Sequence, residues 1–168
     1  TLPLKLDVSE LPDKLYLLAI GKGCQKLLEA FTRSYRGVIL DGIVLSPEPV
    51  TIGNNQARLK KLTFFTGSHP LPSLENEAST LEILRFIQKL PAGASLVCLI
   101  SGGTSSLLCF PPDPISIQDL QQTYQLLLDS GADIDEMNTV RKHLSLVKGG
   151  NLAQKAHHLR LHSVLLSD

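Results

Sequence analysis

A glycine pair followed by three hydroxyl side chains has the residue types that bind anions. The segment from Leu99 to Phe110 reads LISGGTSSLLCF, in which an apolar run suited to a buried strand stops at Ser-Gly-Gly. Glycine lets the backbone turn without a Cβ in the way, and hydroxyls at a helix start lie beside unpaired N–H groups. The pattern predicts either an anion-binding turn or a purely structural one, formed by Ser101, Gly102, Gly103, Thr104 and Ser105.

A lysine lies in a second glycine-bearing turn near the start of the chain. Lys22 stands between Gly21 and Gly23, directly after an apolar run that ends at Ile20. A lysine at a strand-to-helix turn can reach a phosphate, as the P-loop lysine does. The spacing matches neither G-x-x-x-x-G-K-[ST] nor G-x-G-x-x-G, so no named nucleotide motif is present. A surface lysine beside a helix start is the alternative interpretation.

A histidine lies in a proline-rich turn between a strand and a helix. His69 precedes Pro70, and a residue before proline is restricted towards extended backbone. It is therefore a candidate polar residue of a binding site. The alternative is a solvated loop histidine.

Residues 135–150, DEMNTVRKHLSLVKGG, combine a helical apolar stripe with cations. At about 3.6 residues per turn, one helical face is predicted to be apolar and buried. It carries Ile134, Met137, Val140 and Leu144. Asn138, Arg141 and Ser145 follow the edge of that stripe at spacings of three and four.

A charged side chain beside a buried face, such as Arg141, needs a partner. An anionic ligand is one candidate partner. A snorkelling arginine, or one paired with an acidic side chain, is the other interpretation. Lys142 and Lys148 add positive charge to the same segment. This clustering favours an anion site.

The composition excludes several classes of partner. Lys and Arg together number 16, as do Asp and Glu, so no overall field favours nucleic acid or an anionic membrane. No apolar stretch approaches the roughly 18 residues that a membrane-spanning helix needs. The three cysteines form no C-x-x-C pair, which predicts buried thiols in a reducing compartment, and no secretory leader opens the chain. We therefore expect a cytoplasmic protein.

Strand and helix patterns alternate along the whole chain. This alternation predicts a single α/β domain over residues 1–168, a three-layer, Rossmann-like arrangement with a mostly parallel sheet and helices on both faces. Ser73, Ser116 and Asp133 are placed as helix N-caps. In the helix after Ser73, apolar residues recur at helical spacing. They are Leu74, Ala78, Leu81, Leu84 and Ile87.

Together these segments resemble the N-terminal domain of the glycerate 2-kinases, a family also filed under hydroxypyruvate reductase. The resemblance is carried by LISGGTSSLL, by SGADIDEMNTVRKHLSLVKGGNLA and by GSHPLP, with AIGKG near the start and LLSD at the end. It extends over essentially all of the chain. Members usually have Gly and Ala where Thr104 and Ser106 stand, Asp where Ser73 stands, and Ala where Gly23 stands.

The resemblance implies ATP-dependent phosphorylation of D-glycerate to 2-phosphoglycerate, with Mg²⁺. Lys22 would be the cation on the transferring phosphoryl group, and residues 101–105 would cradle phosphate or the substrate carboxylate, with His69 nearby. Arg141 and Asn138 would hold an anion, supported by Lys142 and Lys148, and Asp168 would be a candidate ligand for Mg²⁺. A homodimer is a further expectation.

The chain begins at Thr1 without Met and closes on HSVLLSD, a predicted strand without its following loop, so we expect it to be cut at both ends. The resemblance implies an acidic loop and a C-terminal domain beyond Asp168. That missing domain would be a partner in catalysis. Two other functions stay open. One is a hydroxypyruvate reductase, against which the absence of G-x-G-x-x-G counts. The other is an anion-binding fragment without turnover.

Overall fold

The sheet has five strands, and all of them are parallel. The computed structural model describes residues 6–51 and 56–166. The strand order is β3-β2-β1-β4-β5. The strands are β1 (Lys14–Ile20), β2 (Val38–Ser46), β3 (Leu62–Thr66), β4 (Ser95–Ser101) and β5 (Arg160–Leu166). The predicted α/β fold with a parallel sheet is confirmed.

Helices connect the strands, and two of them begin with the local signal read from the sequence. The helices are α1 (Cys24–Ser34), α2 (Gln56–Leu59), α3 (Leu74–Lys89), α4 (Thr104–Leu107), α5 (Ile117–Asp129), α6 (Ile134–His143) and α7 (Asn151–Lys155). Ser116 and Asp133 each form a capping box with the residue three positions on. Within the described ranges no helix is long and apolar enough to cross a membrane.

The two faces of the sheet pack into separate hydrophobic clusters. Successive residues of β1 point to opposite faces: Leu17 packs on the α1 side of the sheet, and Leu18 packs on the α3 side. Cys24, Cys98 and Cys109 are buried free thiols, as predicted, and burial raises the pKa of each to about 12. They are therefore poor nucleophiles at neutral pH.

The helix predicted after Ser73 is confirmed as α3, but its recurring apolar residues do not coincide with the face that packs on the sheet. Leu74 is 58% exposed and Ala78 is also exposed. The face that packs on the sheet begins with polar residues and becomes apolar towards its end. It carries Asn76, Ser79, Thr80, Ile83 and Ile87. Periodicity picks out the more apolar face of α3. The hydrogen bonds of the turn before α3 instead bring the more polar face onto the sheet.

The predicted burial of the apolar stripe on α6 is also wrong. No residue of α6 is buried, and Ile134 is 58% exposed. The helix instead meets the domain near its carboxyl end, where Arg141 lies over Tyr124 and Leu144 packs on a small cluster that contains Tyr124. Periodicity identifies the apolar face of a helix, but another element must be present to cover it.

The strand order brings the two predicted anion-binding turns together. From β1 the chain adds β2 and β3 on one side, and it then adds β4 and β5 on the other side of β1. The strand order therefore reverses between β1 and β4. In open α/β sheets, ligands bind outside the carboxyl ends of the strands at such a reversal. Residues 21–23 and residues 101–104 both lie there.

Gly21 is the tightest point of this junction. Its φ is +124°, and a Cβ added to it would lie 2.3 Å from Ser101 Oγ and 2.7 Å from Ser101 O. Gly93 also has positive φ (+77°), but a Cβ there would meet nothing within 4 Å. Gly93→Ala therefore measures the cost of placing a Cβ on backbone with positive φ, without any steric clash.

We expect Gly21→Ala to lower the free energy of unfolding by about 3 kcal/mol or more, because overpacking adds to the backbone strain. Gly93→Ala should cost about 1–2 kcal/mol. Chemical denaturation of the two variants measures the difference. Equal losses would show that the contact with Ser101 is not a constraint.

Candidate active site

Backbone and hydroxyl hydrogen bonds join the turn after β1 to the turn after β4. The Lys22 N–H donates to Gly102 O at 2.8 Å, and the Gly23 N–H donates to Ser101 Oγ at 2.8 Å. Lys22 is therefore carried on a turn whose position is fixed by β4, although its side chain is exposed. A fixed base is what a cation needs if it is to meet a transferring group in one geometry.

Thr104 contributes a second connection between these turns. Its Oγ1 lies 3.0 Å from Ile20 O and 2.8 Å from Ser101 O, both of which are acceptors. The hydroxyls of Ser101 and Thr104, expected from the sequence to face a ligand, are thus engaged in holding the two turns together. Ser105 is half-buried at the first turn of α4. The N–H groups of Gly102 and Gly103 belong to the same turn.

His69 and Lys22 converge on Gly103. A Cβ added to Gly103, whose φ is +86°, would lie 3.0 Å from Lys22 Cγ and from His69 Cδ2, and 3.2 Å from His69 Nε2. The pKa of His69 is lowered, first by burial of part of the ring and then by the charges of Lys22 and Arg141. This environment favours a neutral imidazole beside two cations.

Asn76 holds the His69 turn in place, and sequence reasoning missed it. Its side chain is fully buried. Oδ1 accepts from the Ser68 N–H (2.6 Å) and from Ser73 Oγ (2.9 Å), while Nδ2 donates to Ser68 O (2.8 Å) and Ser106 O (2.9 Å). The amide oxygen thus accepts two hydrogen bonds, and the amide nitrogen donates both of its hydrogens. Ser73 occupies the N-cap position of α3 but binds Asn76 rather than a helix N–H. A polar residue in the helix that follows a proline-rich turn is the signal that could have found Asn76.

Lys22 and His69 border a cleft of about 980 Å³ across the carboxyl ends of the first three strands. Loop and helix residues complete its walls: Gln25, Ser46 to Thr51, Thr66 to Ser68, and Glu75. Gln25 and Thr51 form two hydrogen bonds of 2.8 Å that fix one wall to α1. A cleft of this size is in the range that small-molecule ligands occupy.

Arg141 has an uncommon environment for a charged side chain. Its Cζ lies 4.7 Å from the centroid of the Tyr124 ring, and its Nε is buried without a hydrogen-bond partner. Within the described ranges, no carboxylate forms an ion pair with it. Its charge contributes to lowering the pKa of His69. Asn138 and Lys142 are exposed on α6, and neither these two residues nor Arg141 lines the cleft.

Lys148 is largely buried and bonded to the protein. Nζ donates to Leu108 O at 2.8 Å and lies 3.5 Å from Ser145 Oγ. Burial lowers the pKa of its amine to about 8, with a further lowering by Arg141. Lys148 thus supports the segment after α4 by its hydrogen bonds in this structure.

The described residues do not form a cage for a metal ion. Over residues 6–51 and 56–166, no three His, Cys, Asp or Glu side chains gather in a way that could hold one. Asp168, the candidate ligand from the sequence, lies outside the described residues. Mg²⁺ is commonly carried by substrate phosphates with only one or two carboxylates. The described side chains alone therefore do not fit a resident Mg²⁺ ion.

Asn76→Asp tests the buried amide. The substitution replaces two N–H donors by oxygen next to the carbonyls of Ser68 and Ser106, so we expect the free energy of unfolding to fall by about 3 kcal/mol or more. Gln88→Glu, on an exposed position of the same helix, should change it by no more than about 0.5 kcal/mol. Chemical denaturation compares the two. A loss for Asn76→Asp no larger than that of the control would contradict the anchoring role.

Lys148 predicts a pH dependence of stability. Because the pKa of the buried amine falls from 10.5 to about 8, only the unfolded state binds the proton between these pH values. The free energy of unfolding of the wild type relative to Lys148→Met should therefore rise with pH across that interval, by about 3 kcal/mol at most. Denaturation of both proteins over this range measures the difference, in which the titration of cysteines and tyrosines cancels. A difference independent of pH would overturn the prediction.

Comparison with known proteins finds similarity to proteins named glycerate kinase and to one named hydroxypyruvate reductase. It is 31% identical to a D-glycerate 2-kinase of Thermotoga maritima over 93% of this chain and 36% of that protein. It is 35% identical to an Agrobacterium vitis protein named provisionally as a hydroxypyruvate reductase, over 96% of this chain and 36% of that one. A solved Thermotoga maritima glycerate kinase superposes with a TM-score of 0.76 at 29% identity, covering 95% of this chain and 37% of that structure.

The chain spans about a third of the length of these relatives. The family model described as "Domain of unknown function (DUF4147)" matches residues 3–168, and this match includes both turns, His69 and Arg141. The chain therefore belongs to the DUF4147 family.

Proposed function

We propose that this chain carries the phosphate-binding part of an ATP-dependent kinase that converts D-glycerate to 2-phosphoglycerate. One arrangement carries the proposal. Lys22 and His69 converge on Gly103, where the strand order reverses between β1 and β4, beside a cleft large enough for both reactants. The similar Thermotoga maritima protein, named D-glycerate 2-kinase, supports the choice of reaction.

Phosphoryl transfer needs charge neutralisation and positioning more than it needs a covalent nucleophile. In the proposed reaction, the bond from the γ-phosphorus to its bridging oxygen breaks and ADP leaves. A bond from the phosphorus to the 2-oxygen of glycerate forms, and the hydroxyl proton passes to water. Lys22 neutralises charge on the transferring group. His69, kept neutral by its surroundings, hydrogen-bonds the substrate without adding charge. The turn at residues 101–105 provides backbone N–H groups for phosphate or carboxylate oxygens.

We further infer that polypeptide beyond this chain completes the active site. The chain covers about a third of the relatives it matches, and the described residues supply cations but no cluster of carboxylates. ATP supplies the phosphoryl group, and Mg²⁺ would accompany it on the phosphate oxygens. The isolated 168-residue chain is therefore proposed to bind anions without turnover.

A hydroxypyruvate reductase is the second candidate, since the similar Agrobacterium vitis protein carries that name. The two reactions differ in what they consume. A coupled assay of ADP release on the protein expressed from its complete reading frame, with D-glycerate, hydroxypyruvate and tartronate, separates them. ADP release with D-glycerate supports the kinase. NADH consumption that does not depend on ATP supports the reductase. If neither activity is detected, anion binding without turnover is the remaining function.

Lys22→Ala tests the proposed catalytic cation. We expect kcat for glycerate phosphorylation to fall by at least about 100-fold with the fold intact, the scale of a lost charge contact in the transition state. Lys26→Ala is the matched control, because Lys26 is exposed in the first turn of α1, just after the turn that carries Lys22, and does not line the cleft. Its kcat should equal that of the wild type. Unchanged turnover in Lys22→Ala would remove Lys22 from the mechanism.

A further inference from the structure

Tyr124 of α5 is a fully buried tyrosine whose hydroxyl has no hydrogen-bond partner. Buried tyrosines usually find a partner for this group, so the hydroxyl does not account for a tyrosine here. The ring does make a specific contact. Its face lies under the guanidinium of Arg141, with 4.7 Å between the ring centroid and Cζ.

Arg141 relies on this ring for its placement. Its Nε is buried and unpaired, and over residues 6–51 and 56–166 no acidic side chain forms an ion pair with it. The helix that carries it has no buried residue that could fix it by packing. The face of an aromatic ring attracts a guanidinium and aligns it parallel to the ring.

The same tyrosine joins Arg141 to the His69 turn. Tyr124 belongs to a small hydrophobic cluster with Cys109, Ile117 and Leu120. Leu71, two residues after His69, and Leu144, the residue that ends α6, both pack against this cluster. The cluster therefore sets the distance between the histidine turn and the helix that bears the arginine.

We propose that Tyr124 is the positioning residue that holds Arg141 beside His69 to bind the carboxylate of the hydroxy-acid substrate. A guanidinium held over a ring face can keep N–H groups available, and two of them match the two oxygens of a carboxylate. The inference rests on the proposed glycerate kinase function. It assigns the carboxylate to Arg141 and leaves the transferring phosphoryl group to Lys22.

The test is a cycle of variants in the protein expressed from its complete reading frame, with D-glycerate and ATP binding measured separately by calorimetry. Tyr124→Leu removes the ring, and we expect it to weaken D-glycerate binding by about threefold to thirtyfold, the range of a cation–π contact, with ATP binding unchanged. Tyr124→Phe keeps the ring and should stay within about twofold of the wild type. In an Arg141→Met background, Tyr124→Leu should have no further effect on affinity.

Leu120→Ala is the control for packing alone. It removes a fully buried side chain of the same cluster, so it should lower stability but leave D-glycerate affinity of the folded protein unchanged. If Tyr124→Leu does not fold, Tyr124→Met, which fills more of the space without an aromatic face, takes its place.

Four results would overturn the inference. Wild-type affinity in Tyr124→Leu, together with a loss of affinity in Arg141→Met, would mean that Arg141 needs no ring. An equal loss in the Arg141→Met background would mean that Tyr124 acts through packing. A loss of ATP affinity instead of D-glycerate affinity would make Arg141 a phosphate ligand. Failure of the wild type to bind or phosphorylate D-glycerate would overturn the proposed function itself, and the carboxylate assignment with it.

Discussion

The hydrogen-bonded junction between the ends of β1 and β4 is the constraint on which the candidate site depends. Ser101 Oγ accepts the Gly23 N–H, Gly102 O accepts the Lys22 N–H, and Gly21 leaves no room for a Cβ between them. These bonds fix where α1 begins and therefore where Lys22 is carried. Because the two strands are paired and parallel, their carboxyl ends coincide, and two turns far apart in the chain become one surface.

The fold brings cationic side chains near His69, although the sequence has no excess of cations. The chain as a whole has no net charge. Lys22 and Arg141 nevertheless both act on His69 and lower its pKa, and Arg141 also acts on Lys148. Like charges brought together in this way repel one another, and the repulsion is relieved when an anion binds. A chain without net charge can therefore gather cations in one locality.

Buried polar or aromatic residues behind the surface give the exposed site residues their geometry. His69 is exposed in a loop, and Asn76 holds that loop with hydrogen bonds to Ser68 and Ser73. Arg141 is on a helix without buried residues, and Tyr124 supports it from below. In both cases the candidate site residue lies on an exposed element and is held by a buried neighbour. Such supporting residues carry no chemical signature in the sequence.

The sequence by itself determined the order of strands and helices, the caps at Ser116 and Asp133, the buried cysteines and the two glycine-bearing turns. Hydrogen bonds over three or four residues and the alternation of apolar residues are local, so a single chain segment specifies them. Tertiary structure decided which face of α3 is buried, that α6 stays exposed, and that the hydroxyls of Ser101 and Thr104 bond to backbone 78 and 84 residues away. The direction of a polar group and the cover on a helix face depend on which distant element arrives beside them, and that is set only when the sheet assembles.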